Sequence, residues 1–299
     1  MSVIDFDHMV NNSNIWKSIP FNDSTDRKRL YNFIDLIDQE GSIYEADNKA
    51  ERHKNVSEKL IPFKDILNIE DLANDYIQYS YERKKIWLKF SLALHHKQLT
   101  TIIDEESLKE MEIVCNKKHP TILCPFHLGP YSLVTILPTI FNREISVLVN
   151  DEERGLLSDW AKNFIEHEEF KRMNLLKVPS MSSPLRFLKN VMKNHIGIIF
   201  PEFSYGIGKE FERVNFFGKT MNVPTGVYTL SKKANAKVIP MTCYWENNKI
   251  HFAFGREYDP SLLNASAFLN EIFSFGETYI KAYKEQWFWE LVDMNGEIE

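Results

Sequence analysis

The chain has 299 residues, of which 43% are hydrophobic and 26% are charged, a composition typical of globular proteins. Its formal net charge of −6 disfavours a general nucleic-acid-binding surface, because neutralising phosphates requires clustered Lys and Arg. A chain of this length can bury a substantial core, in one large domain or in two small ones.

Cysteine usage and the lack of long apolar runs bear on the cellular compartment. Cys115, Cys124 and Cys243 are widely spaced and match no zinc-ligand or redox motif, which predicts buried, reduced thiols. No segment approaches the length of a signal-peptide core or a membrane span. The sequence therefore predicts a soluble, cytoplasmic protein with no transmembrane segment, and it leaves peripheral membrane contact open.

Helical periodicity dominates the first part of the chain. The stretches "STDRKRLYNFIDLIDQ" (24–39) and "IEDLANDYIQYSYERKKIWLKFSLALHH" (69–96) both place apolar residues at helical spacing. We expect residues 1–115 to form a helical N-terminal region that packs on a core formed by residues 116–299.

Short apolar runs alternate with helical patterns after Pro120. Continuous apolar strands that alternate with helices are typical of an α/β fold, so we predict a mixed or mostly parallel central sheet flanked by helices. The predicted strands are "TILCPF" (121–126), "ISVLV" (145–149), "IGIIF" (196–200), "KVIPMTCYW" (237–245) and "KIHFAFG" (249–255). The predicted helices are "YSLVTILPTIF" (131–141), "GLLSDWAKNFIEHEEFKR" (155–172), "SPLRFLKNVMKNH" (183–195), "GVYTLSKKAN" (226–235) and a closing helix "LNEIFSFGETYIKAYKEQWFW" (269–289).

Three candidate site segments follow strands or open a helix. His127 and Glu202 each come directly after a predicted strand, and Thr225 and Gly226 begin a predicted helix. If these strands are parallel neighbours, the segments meet at the carboxyl edge of the sheet, where α/β proteins bind ligands. A neutral histidine there can take a proton from an alcohol or amine, and a helix start offers N–H groups for an oxyanion or phosphate.

Four segments in consistent order resemble the bacterial lipid A lauroyl/myristoyl acyltransferase family of the lysophospholipid-acyltransferase-like superfamily. They are "HLGPYS" (127–132), "PEFSYG" (201–206), "RVNFFGKTMNVPTGVYTLSKKANAKVIPM" (213–241) and "YKEQWFW" (283–289). The match spans roughly the last 180 residues, so coincidence of single short motifs does not explain it. The resemblance implies a glycerolipid-acyltransferase-like fold and acyl transfer with His127 as general base.

The resemblance is broken at two positions. Ser132 stands where the family has the acid that orients the histidine, which leaves three alternatives: His127 uses Glu202 or another carboxylate, His127 acts unaided, or the site is degraded. The segment "LVNDEE" (148–153) stands where the family has a basic residue. We therefore expect an acceptor other than lipid A.

The candidate site residues, drawn from the resemblance and from the residue patterns themselves, form three sets. Those for catalysis are His127, Glu202 and Ser132, and those for substrate binding are Gly129, Phe203, Gly218, Thr225 and Gly226. The third set, inferred from charge, is a docking patch for an acidic carrier protein at Arg186, Lys189 and Lys193. These residues are predicted to lie opposite the apolar residues Leu185, Leu188 and Met192. The other interpretation of this basic face is an ordinary solvated surface. The residues predicted to have only a packing role are Cys124, Trp287, Phe288 and Trp289.

The leading hypothesis is an acyltransferase that uses an acyl carrier protein or CoA thioester as donor. Its acceptor is the hydroxyl or amine of a small or carrier-bound molecule, and it needs no cofactor and no metal. One alternative is a non-catalytic homologue that binds acyl groups or a carrier protein, for which Ser132 is the main support. A second alternative is a thioesterase in which His127 activates water.

Overall fold

The computed structural model describes residues 50–95, 97–150, 171–202 and 210–289. Within them the chain forms an α/β fold, as predicted: a six-stranded sheet, mostly parallel, with helices on its faces. The predicted helix at 24–39 lies outside the described residues, and so does the predicted helix at 155–172 except for its last two residues. The predicted domain boundary after residue 115 falls between a helix and the first strand, and it stays a prediction.

The central sheet consists of β1 (Thr121–Pro125), β2 (Ile145–Val149), β3 (Met173–Lys177), β4 (Ile196–Ile198), β7 (Lys237–Glu246) and β8 (Lys249–Phe254). These strands lie in the order β3-β2-β4-β1-β7-β8. Neighbouring strands are parallel except for the last pair, because β8 returns antiparallel to β7 at the edge. The inner strands β1, β2 and β4 are buried at every position, as expected for parallel strands covered on both faces.

Helices cover both faces of this sheet and enclose two hydrophobic cores. Successive residues of β1 alternate between them: Ile122 and Cys124 lie in one core, and Leu123 lies in the other. Residues 50–60 are also helical. The bounded helices are α1 (Ile69–His95), α2 (Glu105–Cys115), α3 (Leu137–Ile140), α4 (Ser182–Met192), α5 (Gly226–Ala234) and α6 (Ala265–Ala282).

A separate antiparallel hairpin pairs β5 (Phe211–Phe216) with β6 (Lys219–Pro224). Phe217 and Gly218 form its two-residue turn with φ values of 53° and 70°, a left-handed geometry that suits a tight hairpin. Buried and less buried residues alternate along β5 and β6, the pattern of strands with one packed face. The sequence interpretation missed this hairpin although the alternation is visible in the sequence.

The structure differs from the sequence interpretation at three further places. Strand β3 is absent from the predicted strands, because its mixed polar composition gives no continuous apolar run. The segment expected to be one helix over 131–141 is a 3-10 turn (Tyr131–Thr135) followed by the short α3. The closing helix ends at Ala282, and the aromatic segment beyond it runs alongside residues that follow β1.

Candidate active site

His127 follows β1 and lies at the carboxyl edge of the sheet. The chain reaches it through Phe126, whose N–H donates to Met241 O of β7 at 3.3 Å. Two residues later Gly129 turns the chain with φ +63°, and a Cβ there would lie 2.3 Å from Cys243 O. Only glycine fits this turn, because both the conformation and the approach to β7 exclude a side chain.

Glu202 reaches the same edge from the neighbouring strand. Leu123 of β1 pairs with Ile198 of β4, and His127 and Glu202 each come four residues after these partners. The parallel register therefore brings both residues to the same height beyond the strand ends. Gly197 supports this arrangement, since a Cβ there would lie 2.6 Å from the ring of Phe187 and prevent α4 from packing on β4.

One carboxylate oxygen links the parts of the site. Oε1 of Glu202 accepts the backbone N–H of His127 at 2.6 Å and the indole N–H of Trp287 at 3.4 Å. The same oxygen lies 3.3 Å from Nδ1 of His127. The Glu202 side chain is 1% exposed and that of His127 is 9% exposed. A buried carboxylate is costly unless charged or hydrogen-bonding groups compensate it. The two hydrogen bonds to Oε1 provide such compensation, and the nearby imidazole adds to it when it is protonated.

Aromatic rings surround the imidazole. The ring centroids of Phe200 and Tyr131 lie 4.1 Å and 4.6 Å from that of His127, and Phe288 lies at 6.5 Å. Phe200 is buried, whereas Tyr131 and Phe288 are half-buried. The imidazole thus sits in a largely apolar surrounding that retains a small opening to solvent, a setting compatible with binding an acyl chain.

The C-terminal segment 284–289, which we call the aromatic strap, closes one side of the site. Its backbone pairs with the turn after β1: Gly129 N–H donates to Gln286 O at 3.0 Å and Phe288 N–H donates to His127 O at 2.9 Å. The side-chain amide of Gln286 exchanges two hydrogen bonds of 2.8 Å with the backbone of Trp245 in β7.

Trp287 and Trp289 are buried, in agreement with their predicted packing role. That interpretation missed the contact of Trp287 with Glu202. The aromatic strap lies in a family signature, and this position in the sequence indicates that the segment is structurally constrained. It does not indicate which residue the indole of Trp287 contacts.

Ser132 lies in the 3-10 turn that follows His127, next to Tyr131. It is half-buried, and its carbonyl oxygen accepts a hydrogen bond of 2.6 Å from the Thr135 hydroxyl. The carboxylate beside the His127 ring belongs to Glu202 and comes from another strand. Among the alternatives left open by the sequence, this contact favours pairing of His127 with Glu202.

The other predicted substrate-binding residues lie on the hairpin and at the start of α5. Gly218 forms the hairpin turn, and the neighbouring Phe216 packs against Trp287 with a centroid separation of 5.3 Å. Thr225 is held by its N–H and its hydroxyl, which donate to Glu210 O at 3.1 Å and 3.4 Å. A Cβ on Gly226 would meet no atom within 4 Å. Phe203 lies outside the described residues.

The basic face of α4 is exposed, and of the predicted apolar face only Leu188 packs against the core. Leu185 and Met192 are 69% and 63% exposed, and the buried residues of the helix are Ser183, Phe187 and Val191. Phe187 and Val191 fit against Gly197, which sets the rotation of the helix on the sheet. The exposed surface of α4 therefore combines apolar side chains with Arg186, Lys189 and Lys193.

Cys124 is a core residue, in agreement with the prediction. It is fully buried in β1, and burial, together with the charge of Glu202, raises the pKa of its thiol well above the usual value. The thiol therefore stays protonated at neutral pH and is a poor nucleophile.

Membrane-spanning helices and metal-ligand clusters are both absent from residues 50–95, 97–150, 171–202 and 210–289. No helix in these ranges is both long enough and apolar enough to cross a bilayer. No cluster of three or more His, Cys, Asp or Glu side chains in the same ranges has the arrangement of a metal site.

Comparisons with known proteins add family information. A family model described as bacterial lipid A biosynthesis acyltransferase matches residues 82–291. Among solved structures, the chain is similar to the 1-acyl-sn-glycerophosphate (LPA) acyltransferase PlsC from Thermotoga maritima, with 14% identity and a TM-score of 0.42. That match covers 86% of this chain and 98% of that chain. A search of curated proteins found no match.

Proposed function

Because the chain belongs to the bacterial lipid A biosynthesis acyltransferase family, we propose that it moves an acyl group from a thioester to a hydroxyl or amine. The donor is the thioester of an acyl carrier protein or of CoA. The acceptor is a small or carrier-bound molecule. His127 is the general base, and the observation that carries the proposal is its contact with Glu202 at the carboxyl edge of the sheet.

During the reaction His127 has to accept one proton from the acceptor and return it to the leaving thiolate. Nε2 of His127 takes the proton from the acceptor as the acceptor oxygen or nitrogen attacks the thioester carbon. The tetrahedral intermediate collapses with cleavage of the carbon–sulfur bond, and the imidazolium gives its proton to the departing sulfur. The products are an ester or amide and a free thiol, with no net proton consumed.

Glu202 orients the base and stabilises its charged form. Its Oε1 lies 3.3 Å from Nδ1 of His127, which leaves Nε2, on the opposite side of the ring, as the atom that takes the proton in this proposal. The bond of 2.6 Å from the His127 backbone N–H fixes the carboxylate relative to the same residue, so ring and carboxylate are positioned together. When His127 is protonated, this negative charge stabilises the imidazolium.

The remaining predicted residues have supporting roles in the proposal. Gly129 holds the turn that presents His127, and Ser132 supplies a hydroxyl near the acceptor. Phe203, Gly218, Thr225 and Gly226 shape the acyl or pantetheine end of the cleft. Docking of an acidic carrier protein on α4 is supported by exposed cations beside exposed apolar side chains, a combination suited to an acidic, partly apolar partner.

Replacement of the base tests the proposal directly. Purified protein is supplied with acyl-CoA and acyl carrier protein donors and a panel of hydroxyl and amine acceptors, and products are identified by mass spectrometry. His127→Ala is expected to lower the transfer rate by roughly 10²–10⁴-fold, the usual contribution of a positioned base. His119→Ala is the matched control, because His119 is half-exposed and pairs with Glu257 at 3.4 Å.

The outcomes separate the candidate functions. Transfer at the wild-type rate by folded His127→Ala removes the proposed base. Binding of acyl thioesters without turnover of any acceptor indicates the non-catalytic homologue. Release of free fatty acid at a rate independent of acceptor indicates a thioesterase.

A further inference from the structure

Two hydrogen-bond donors that the proposed mechanism does not use lie on α1. Tyr79 and Arg83 are four residues apart and therefore share one face of the helix. The Tyr79 hydroxyl and Nη1 of Arg83 are both buried, and neither has a hydrogen-bond partner within the part of the chain that the structure describes. Buried polar groups of folded proteins nearly always have partners, so these two require an explanation.

Arg83 lies close to the candidate active site. Its Cζ is 5.8 Å from the ring centroid of Tyr131 and 5.6 Å from that of Phe288. These are two of the rings that surround His127, at centroid separations of 4.6 Å and 6.5 Å. A single aromatic ring therefore separates the guanidinium from the imidazole along either route.

The nearby carboxylates have other partners. Glu82 pairs with Lys85 at 2.6 Å, and Glu285 accepts a hydrogen bond from Nε2 of Gln286 at 3.4 Å. Burial raises the pKa of Tyr79 well above its usual value, and the charge of Arg83 opposes this rise. Tyr79 is therefore protonated at neutral pH. Both groups then present donors, and the complementary ligand is an acceptor of hydrogen bonds, most favourably an anion.

We infer that Tyr79 and Arg83 form a subsite for an anionic oxygen group, a phosphate or a carboxylate, of the acyl acceptor. The planar guanidinium matches either group with paired hydrogen bonds. This inference rests on the proposed function, because it assigns the anion to the acceptor.

The position of the subsite indicates that the bound anionic group belongs to the acceptor and not to the donor. The nucleophile of the acceptor must reach His127, and the subsite lies one ring beyond that residue. In a pantetheine thioester, by contrast, two amide units separate the phosphate from the sulfur. That span is longer than the separation of one aromatic ring between Arg83 and His127.

Binding of inorganic phosphate tests the subsite without any turnover. The melting temperature is measured in phosphate and in sodium chloride of equal ionic strength, and the dissociation constant is measured by calorimetry. Arg83→Met is expected to weaken phosphate binding by roughly tenfold or more, and Tyr79→Phe by less, because a hydrogen bond from a charged donor is the stronger of the two. Arg213→Met, which removes an exposed arginine of β5, is the matched control and is expected to bind as wild type.

Two further measurements distinguish the inference from a folding defect and from binding of a phosphate that belongs to the donor. Arg83→Lys keeps the charge and the contact with the rings but loses the paired N–H donors of the guanidinium. Its affinity for phosphate is therefore expected to lie between those of wild type and Arg83→Met. Far-UV circular dichroism verifies the fold of each variant. Acetate replaces phosphate to compare carboxylate with phosphate, and coenzyme A serves as the donor-side probe. The affinity for coenzyme A is expected to be the same in Arg83→Met and wild type.

Equal phosphate binding by wild type and folded Arg83→Met, or none by either, overturns the inference and leaves water as the occupant. Loss of coenzyme A binding in parallel with phosphate binding assigns the anion to the donor and also overturns it. The proposed function fails separately: His127→Ala is expected to keep phosphate binding. If phosphate binding depends on Arg83 but no donor and acceptor pair reacts, the subsite stands and acyl transfer does not.

Discussion

The imidazole of His127 and the carboxylate of Glu202 are 75 residues apart in the chain, yet Nδ1 and Oε1 lie 3.3 Å apart. Each residue comes four positions after a paired residue of adjacent parallel strands. The pair therefore depends on the register of β1 and β4, and its function depends on the charge of Glu202.

Glu202→Gln tests that charge. The amide keeps the size of the side chain and an oxygen for the His127 N–H, but it cannot stabilise an imidazolium. The transfer rate is expected to fall roughly tenfold or more, since one buried charge close to the imidazolium can shift its stability by about 1.4 kcal/mol for each pKa unit. Glu271→Gln, an exposed carboxylate paired with Arg256, is the control. An undiminished rate in Glu202→Gln would assign the base another partner.

Trp287→Phe tests the indole contact with the carboxylate. The phenyl ring preserves most of the packing but removes the donor to Oε1, so Glu202 loses one of its compensating hydrogen bonds. We expect a several-fold decrease in kcat with little change in KM, because a buried group that loses a partner costs about 1–3 kcal/mol. Trp289→Phe is matched, because its Nε1 donates to Lys284 O and not to Glu202. Equal kcat values for the two variants would restrict Trp287 to packing.

A pair of glycine substitutions separates backbone constraint from substrate binding. Gly129→Ala forces a Cβ against Cys243 O at φ +63°, and unfolding free energy is expected to drop by roughly 2–4 kcal/mol. Gly226→Ala has open space at the first position of α5 and is expected to be neutral or stabilising by about 0.5–1 kcal/mol. Denaturant melts check both.

The same Gly226→Ala variant also reports on the cleft. If Gly226 borders the acyl or pantetheine group, as proposed, the added methyl raises KM for the donor although the fold is retained. A wild-type KM would remove Gly226 from the binding residues.

Reversal of the basic charges on α4 tests carrier docking. Replacing Arg186, Lys189 and Lys193 by Glu is expected to raise KM for an acyl carrier protein donor about tenfold at low salt, because the patch then repels an acidic partner. KM for a CoA thioester should not change. Reversal of three exposed lysines outside α4 (Lys54, Lys64 and Lys109) is the control. An equal effect of both triple variants would indicate net charge alone.

The sequence by itself determined the fold class and the positions of His127 and Glu202 at the ends of their strands. Continuous apolar runs specify buried parallel strands, and a polar residue after such a run is placed at the strand end by the chain itself, as for His127 and Glu202. Hairpin β5–β6 was also encoded in its alternation and turn. The short strand β3 was not, because a mixed polar segment pairs only when β2 supplies a partner.

Only the tertiary structure decided which strands are neighbours, how α4 is rotated and what the strap contacts. Strand order β3-β2-β4-β1-β7-β8 puts Glu202 beside His127, and no local pattern encodes that order. The contacts of Trp287 with Glu202 and of Arg83 with the rings around His127 join distant segments. Periodicity records which face of an element is apolar, whereas contacts of this kind arise from close packing between elements, which depends on the whole fold.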